Sequence, residues 1–208
     1  HKAGRRQFYS FPNFNLPPVT YEKRFLSLGG STSLIPSGTH FKGDVSGING
    51  KKIPRWFRLY YKPGLKVTRM QTWEERLELM TEKAPKWDVG IIAGVPAWAQ
   101  ILLERIIDTY NLDSIHDLWP HLGVYIHGGV SIAPYRQNLE KLFGKPMVFM
   151  ETYLASEGFF AVQTRPDAKG MELMLTSGIY YEFLPFNDQN FTHDGELRDV
   201  HAPTLTLN

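Results

Sequence analysis

Residues 123–158 read "GVYIHGGVSIAPYRQNLEKLFGKPMVFMETYLASEG", and the order of periodicities in this stretch decides the fold. "GVYIH" at 123–127 and "PMVFMETY" at 146–153 are short apolar runs of strand length. Between them, "APYRQNLEKLF" has helical spacing and is closed by Gly144, the residue type that most readily turns the chain after a helix. Strand, helix and strand within about thirty residues make a βαβ unit, whose two strands are parallel and whose crossover is right-handed. The expectation is neighbouring strands at about 123–127 and 147–152, with a helix at 134–143 crossing between them.

Working outward, Thr72 and Glu75 in "TWEERLELM" have the spacing of a capping box, and Pro85 marks the end of that helix. "VPAWAQILLERIIDTYN" starts with Pro96 at a first helical position and sets Trp98, Leu102, Ile106 and Tyr110 on one face. Ile101, Leu103 and Ile107 broaden that stripe into a largely buried helix. A short helix from about Ser114 stops at Trp119, before Pro120. "MELML" and "IYYEFLP", joined by "TSG", have the pattern of a hairpin. "GGSTSLIPSGTHFKGDVSGING", from Gly29 to Gly50, is a connecting region of turns between short strands. The chain divides into an extended arm or loop at 1–27, a central α/β portion at 28–186 and an irregular tail at 187–208. The fold class is α/β, with a mixed, partly parallel sheet and flanking helices.

Composition limits the function classes. With 208 residues, 42% of them hydrophobic, the chain suffices for a packed core. The 23 basic and 21 acidic residues nearly cancel, so no nucleic acid and no membrane surface is expected as a partner. Arg5, Arg6, Phe8, Tyr9 and Phe11 have the makings of a single-strand-binding arm, but an arm packed on its own domain is the stronger reading. No apolar run approaches the roughly 20 residues of a membrane helix. The absence of cysteine excludes disulfides, thiolate nucleophiles and Cys-ligated zinc and allows a reducing compartment without proving one. A cytoplasmic location is the expectation. His116, His121 and His127 lack the spacing of a metal-ligand pair and are expected at the surface or in turns. Oligomeric state is not legible.

Ligands of open α/β sheets collect beyond the carboxyl ends of parallel strands, and both unusual stretches fall there. Gly128 and Gly129 in "HGGVS" let a backbone approach a ligand and expose N–H donors, while Ala155 and Ser156 in "YLASEG" keep the neighbouring rim low. Glu157 offers oxygens to a hard cation, so the pair of turns suits a phosphate ester with magnesium.

"WPHLGVYIHGGVSIAPYR", "ETYLASEGFFAVQ" and "GIYYEFLP", in this order, resemble the auxin-responsive promoter family of acyl acid amido synthetases, within the adenylate-forming superfamily. Upstream, "GDVSGI" and "IIAGVPAWAQILLERI" resemble bacterial branches of that family, and the likeness runs from about Leu28 to Pro185. Plant members have Tyr-Ala-Ser-Ser-Glu where this chain has Tyr153, Leu154, Ala155, Ser156 and Glu157, so the Ser-Glu pair is kept. The resemblance implies a fragment of the large N-terminal domain of an enzyme that uses ATP and magnesium. Such an enzyme activates a small carboxylic acid as its adenylate and passes it to an amine or amino acid.

Carried over residue by residue, Glu157 would be catalytic and bind magnesium. Gly128, Gly129, Tyr153, Ala155, Ser156 and Tyr180 would shape the nucleotide cleft, with Tyr180 against adenine. Trp98, Val130, Ser131 and Thr152 would line the acyl pocket. Tyr180 as an ordinary strand residue and Trp98 as plain helix core remain alternatives. The family's phosphate loop, its Tyr-Arg-x-Gly-Asp motif and its C-terminal lysine are not found. "PSGTHFKG" at 36–43 lacks the paired glycine, and no helix is expected after it. The chain is therefore expected to be a central piece, inactive by itself in ATP–pyrophosphate exchange. Two other functions stay open: a non-catalytic small-acid-binding or interaction domain, and a serine hydrolase using Ser131 with Asp194 and His201, since "GVSIA" approaches a nucleophile elbow.

Overall fold

The computed structural model describes residues 16–198, except Leu34, Asp44, Lys52, Gln71, Ser156, Asp167, Thr176 and Ser177. The aromatic and basic arm at 5–11 and His201 lie outside the described residues. A seven-stranded sheet organises the rest. Its strands are β1 (Arg24–Leu28), β4 (Tyr61–Lys62), β5 (Val89–Gly94), β6 (Val124–Gly128), β7 (Val148–Leu154), β8 (Phe159–Val162) and β9 (Glu172–Leu173), in the order β4-β1-β5-β6-β7-β8-β9. The β4, β1, β5, β6 and β7 strands run parallel, and β8 and β9 are added antiparallel. A separate hairpin joins β2 (Ile35–Ser37) to β3 (His40–Lys42).

The βαβ expectation holds. β6 and β7 are parallel neighbours, with His127 opposite Glu151 and Gly128 opposite Thr152. The crossover helix spans Ala133–Leu142. The other helices are α1 (Pro18–Glu22), α2 (Val45–Lys51), α3 (Leu65–Thr68), α4 (Trp73–Lys83) and α5 (Pro96–Tyr110), which makes the crossover helix α6. The α4 helix starts where the capping pattern puts it, with the Thr72 side chain accepting the Glu75 N–H. Pro96 opens α5, and Asn111 ends it in the left-handed conformation, at φ 49°. Along α5, Ala99, Leu102, Leu103 and Ile106 are buried. They join Tyr125, Phe149, Leu139 and Met80 in the main core on one face of the sheet. Ile91, Val124, Ile126, Met150 and Phe159 form a second apolar layer with Leu16.

Several elements differ from expectation. Arg24–Leu28, assigned mostly to an arm, is a strand of the main sheet, because its side chains alternate into both layers and Leu26 and Leu28 are buried. The helix α2 follows the β2–β3 hairpin, where none was expected. The helix expected from Ser114 is a single 3-10 turn, Ile115–Asp117, with a complete capping box between Ser114 and Asp117. Ile101, expected to widen a buried stripe, is exposed. The hairpin of "MELML" with "IYYEFLP" does not form among the described residues: Glu172–Leu173 pairs with β8, and Tyr180 is 78% exposed.

Two of the histidines expected at the surface or in turns are buried, although His116 does lie in the Ile115–Asp117 turn. His116 donates from Nε2 to the Leu122 carbonyl (2.8 Å) and accepts the Gly144 N–H at Nδ1 (3.1 Å), which ties the loop before β6 to the end of α6. His127 is 3% exposed among Tyr125 and Phe149. His121 is half-buried and pairs with Asp88 at 3.0 Å. Burial raises the Asp88 pKa, but hydrogen bonds and charge from Lys23 and His121 outweigh it and leave the carboxyl below its ordinary range. Among the described residues no helix is long and apolar enough to cross a membrane.

Candidate functional site

Four parallel strands end side by side, and a cleft of about 380 Å³ opens at their carboxyl ends. Each strand end supplies part of its lining. Residues 27–30 come from β1 and the turn after it, 93–95 from β5, 126–129 from β6, and Thr152 and Leu154 from β7; Trp98, Ser46 and Phe159 complete it. Its lining combines glycine, serine and threonine with indole, phenyl and aliphatic groups.

Gly128 is required by a close approach. A Cβ there would collide with the Thr152 carbonyl oxygen, so any side chain would push β7 away from β6. Gly129 is required by its conformation, at φ 83°, which L side chains rarely adopt. Thr152 secures the same junction by donating from Oγ1 to the His127 carbonyl at 3.0 Å. The backbone after β6 is thus bare and fixed in position, as a surface for close approach to a ligand must be.

Of the site residues predicted from sequence, the structure brings Gly128, Gly129, Trp98 and Thr152 together around the cleft. The turn after β7 is closed by reciprocal bonds between Ala155 and Gly158 (2.9 and 3.3 Å), so Glu157 sits exposed at the tip of the β7–β8 hairpin. Ala155 is half-buried at its base, and Ser156 lies outside the described residues. Tyr153 is exposed and packs on Phe160, with ring centroids 5.1 Å apart. Val130 and Ser131 are exposed on the loop leading into α6 rather than on the cleft lining. Ser131 Oγ accepts the Ala133 N–H at 3.3 Å, a local bond two residues along the chain. Asp194 lies in an exposed turn of the tail, and no described histidine is hydrogen-bonded to Ser131.

The sequence reading missed the contributions of Ser27, Gly29, Gly30, Gly94 and Phe159. A signal for them was present: "LSLGG" at 26–30 repeats the strand-then-Gly-Gly pattern of "YIHGG" at 125–129. Both double glycines end parallel strands, and both line the cleft.

His127 lines the cleft and also a second cavity of about 280 Å³ beneath α6, with Arg136, Phe149 and Glu151. Burial and then the Arg136 charge hold its pKa down at about 4, so the imidazole is neutral at pH 7. Its Nδ1 has no hydrogen-bond partner among the described residues. Tyr125, beside it, is pushed up by burial and donates to the Gly94 carbonyl at 3.0 Å, tying β6 to the end of β5. No group of three or more His, Asp or Glu able to hold a metal ion occurs among the described residues.

No family model matches the chain, and no curated protein matches it. Among solved structures, apo MatB from Rhodopseudomonas palustris shares 15% identity and a TM-score of 0.31, over 66% of this chain and 31% of that one. The chain therefore spans about a third of the length of that protein, and the likeness is too slight to carry an argument.

Proposed function

We propose that this chain is the nucleotide- and acid-binding part of an ATP-dependent acyl acid amido synthetase. In that reaction a carboxylate oxygen attacks the α-phosphorus of ATP, the bond to pyrophosphate breaks, and an acyl-adenylate forms. The nitrogen of an amine then attacks the acyl carbon, AMP leaves, and an amide results. The observation that carries the reading is the Gly128–Thr152 pairing, which brings Gly128, Gly129, Thr152 and Leu154, from the ends of two neighbouring parallel strands, into the lining of one cleft. The sequence resemblance supplies the chemistry for that geometry.

The mixed lining suits the two ends of an acyl-adenylate. Bare backbone at Gly128 and Gly129 fits close approach to a nucleotide, and Trp98, Ile126 and Phe159 fit an apolar acyl group. Glu157 is one exposed carboxylate, and magnesium commonly needs no more from a protein when phosphates and water complete its shell. Bound there, the ion would neutralise charge on the phosphates.

The test is titration of the isotope-labelled chain with ATP and magnesium, followed by amide NMR. Shifts should concentrate at Gly128, Gly129 and Ala155. Saturating ATP that leaves those amides unmoved, or labelling of Ser131 by a fluorophosphonate, would count against the proposal. The second outcome would favour a serine hydrolase. Binding of small acids without any response to ATP would favour a non-catalytic acid-binding domain.

A further inference from the structure

Two parts of the cleft lining belong to different elements: Gly29 and Gly30, after β1, and Trp98, on α5. Arg76, on α4, touches the first directly and is linked to the second only through Trp73, without lining the cleft itself. Its Nη1 donates to the Gly29 carbonyl at 2.7 Å, and its guanidinium carbon lies 5.5 Å from the centroid of the Trp73 ring. Trp73 in turn stacks on Trp98, with centroids 4.9 Å apart and planes 23° from parallel. Arg76 Nε donates to the Thr72 carbonyl at 3.2 Å, which fixes the side chain to the start of its own helix.

The arrangement uses what a guanidinium alone offers: donors in its plane and a flat cationic face over an aromatic ring. Arg76 is 7% exposed, and burying a guanidinium is costly unless its bonds are made. The Trp73 indole N–H is buried with no hydrogen-bond partner among the described residues, so stacking rather than hydrogen bonding accounts for its seat.

We propose that Arg76 and Trp73 are positioning residues that hold the double-glycine and Trp98 parts of the lining at a fixed separation, and so limit the size of acyl group the cleft accepts. The size limit rests on the acid-activating reading; the strut itself does not. With the strut intact, Trp98 stays pressed against Trp73 and cannot swing aside for a longer chain. Without it, the indole gains freedom and the pocket deepens.

The probes are straight-chain carboxylates from acetate to dodecanoate, with affinity measured by calorimetry on wild type, Trp73→Leu and Arg76→Met. Both variants should move the tightest-binding chain length upward by about two or more carbons, with longer acids gaining about fourfold per newly buried methylene. Arg76→Lys should behave like Arg76→Met, because an ammonium cannot bond the carbonyl and cover the ring at once. In 5-fluorotryptophan protein, the Trp98 fluorine signal, assigned with Trp98→Phe, should shift in both variants. Acids that bind with the same optimum in all proteins would overturn the inference and leave the acid-activating reading standing. Wild-type protein that binds none of the acids would sink that reading and the size selection together. A Trp98 signal unmoved in both variants would overturn the strut whatever the acids do.

Discussion

Glu157 shows how little a local motif says about the value of one residue. It sits exposed at a hairpin tip, so its replacement by Gln should change stability by no more than about 0.5 kcal/mol. If it stabilises phosphate charge as proposed, the same change should slow acyl-adenylate formation about 10²-fold or more, because Gln keeps the size but loses the charge. The paired measurement is adenylate formation rate and melting temperature. An equal rate in the two proteins would remove Glu157 from the site. His127 is the opposite case, a residue read as peripheral that is buried at the junction of two cavities. Nothing in "YIHGG" distinguishes a histidine facing solvent from one facing a helix, since strand alternation is the same either way.

At the scale of elements, the βαβ unit was legible because its strands are apolar on both faces and its helix has a different period. The strands β1, β5 and β8 were not. "RFLSL" and "FFAV" are short, and "VGIIAG" runs directly into the Pro96 helix, so periodicity alone left them unassigned. The close contact between β6 and β7 gives a sharp prediction. Gly128→Ala should destabilise the protein by about 1–3 kcal/mol, since the added methyl meets the Thr152 carbonyl and a strand must shift. Chemical denaturation checks it, and a variant as stable as wild type would show that β7 can give way freely. The cap of α4 gives a second. Thr72→Ala removes the acceptor for the Glu75 N–H and should cost about 1 kcal/mol by the same measurement.

For the whole molecule, two buried histidines make stability depend on pH in one direction. Burial lowers the pKa of both His116 and His127, the latter to about 4, whereas in the unfolded chain each titrates near 6.5. The unfolded state therefore binds more protons in between, so stability is full above about pH 6.5 and is lost as pH falls toward 4. His127 contributes up to about 3 kcal/mol of that loss, the free energy that corresponds to lowering a pKa from 6.5 to about 4. Urea melts at about pH 7.5 and about pH 5 should show the decline, and His127→Leu should flatten it; a wild-type curve level over this range would contradict the burial-driven shifts. By itself the sequence determined the parallel pair, the long helices and the glycines of one loop, because strand and helix periods and backbone-permissive residues act over a few neighbours. Only the tertiary structure decided that four strand ends share a cleft, that "LSLGG" and "YIHGG" face it together, and that Arg76 reaches Gly29 across 47 positions of chain. Those are long-range pairings, and register and layer order are set by which apolar faces can be buried at once, a property of the assembled sheet rather than of any one segment.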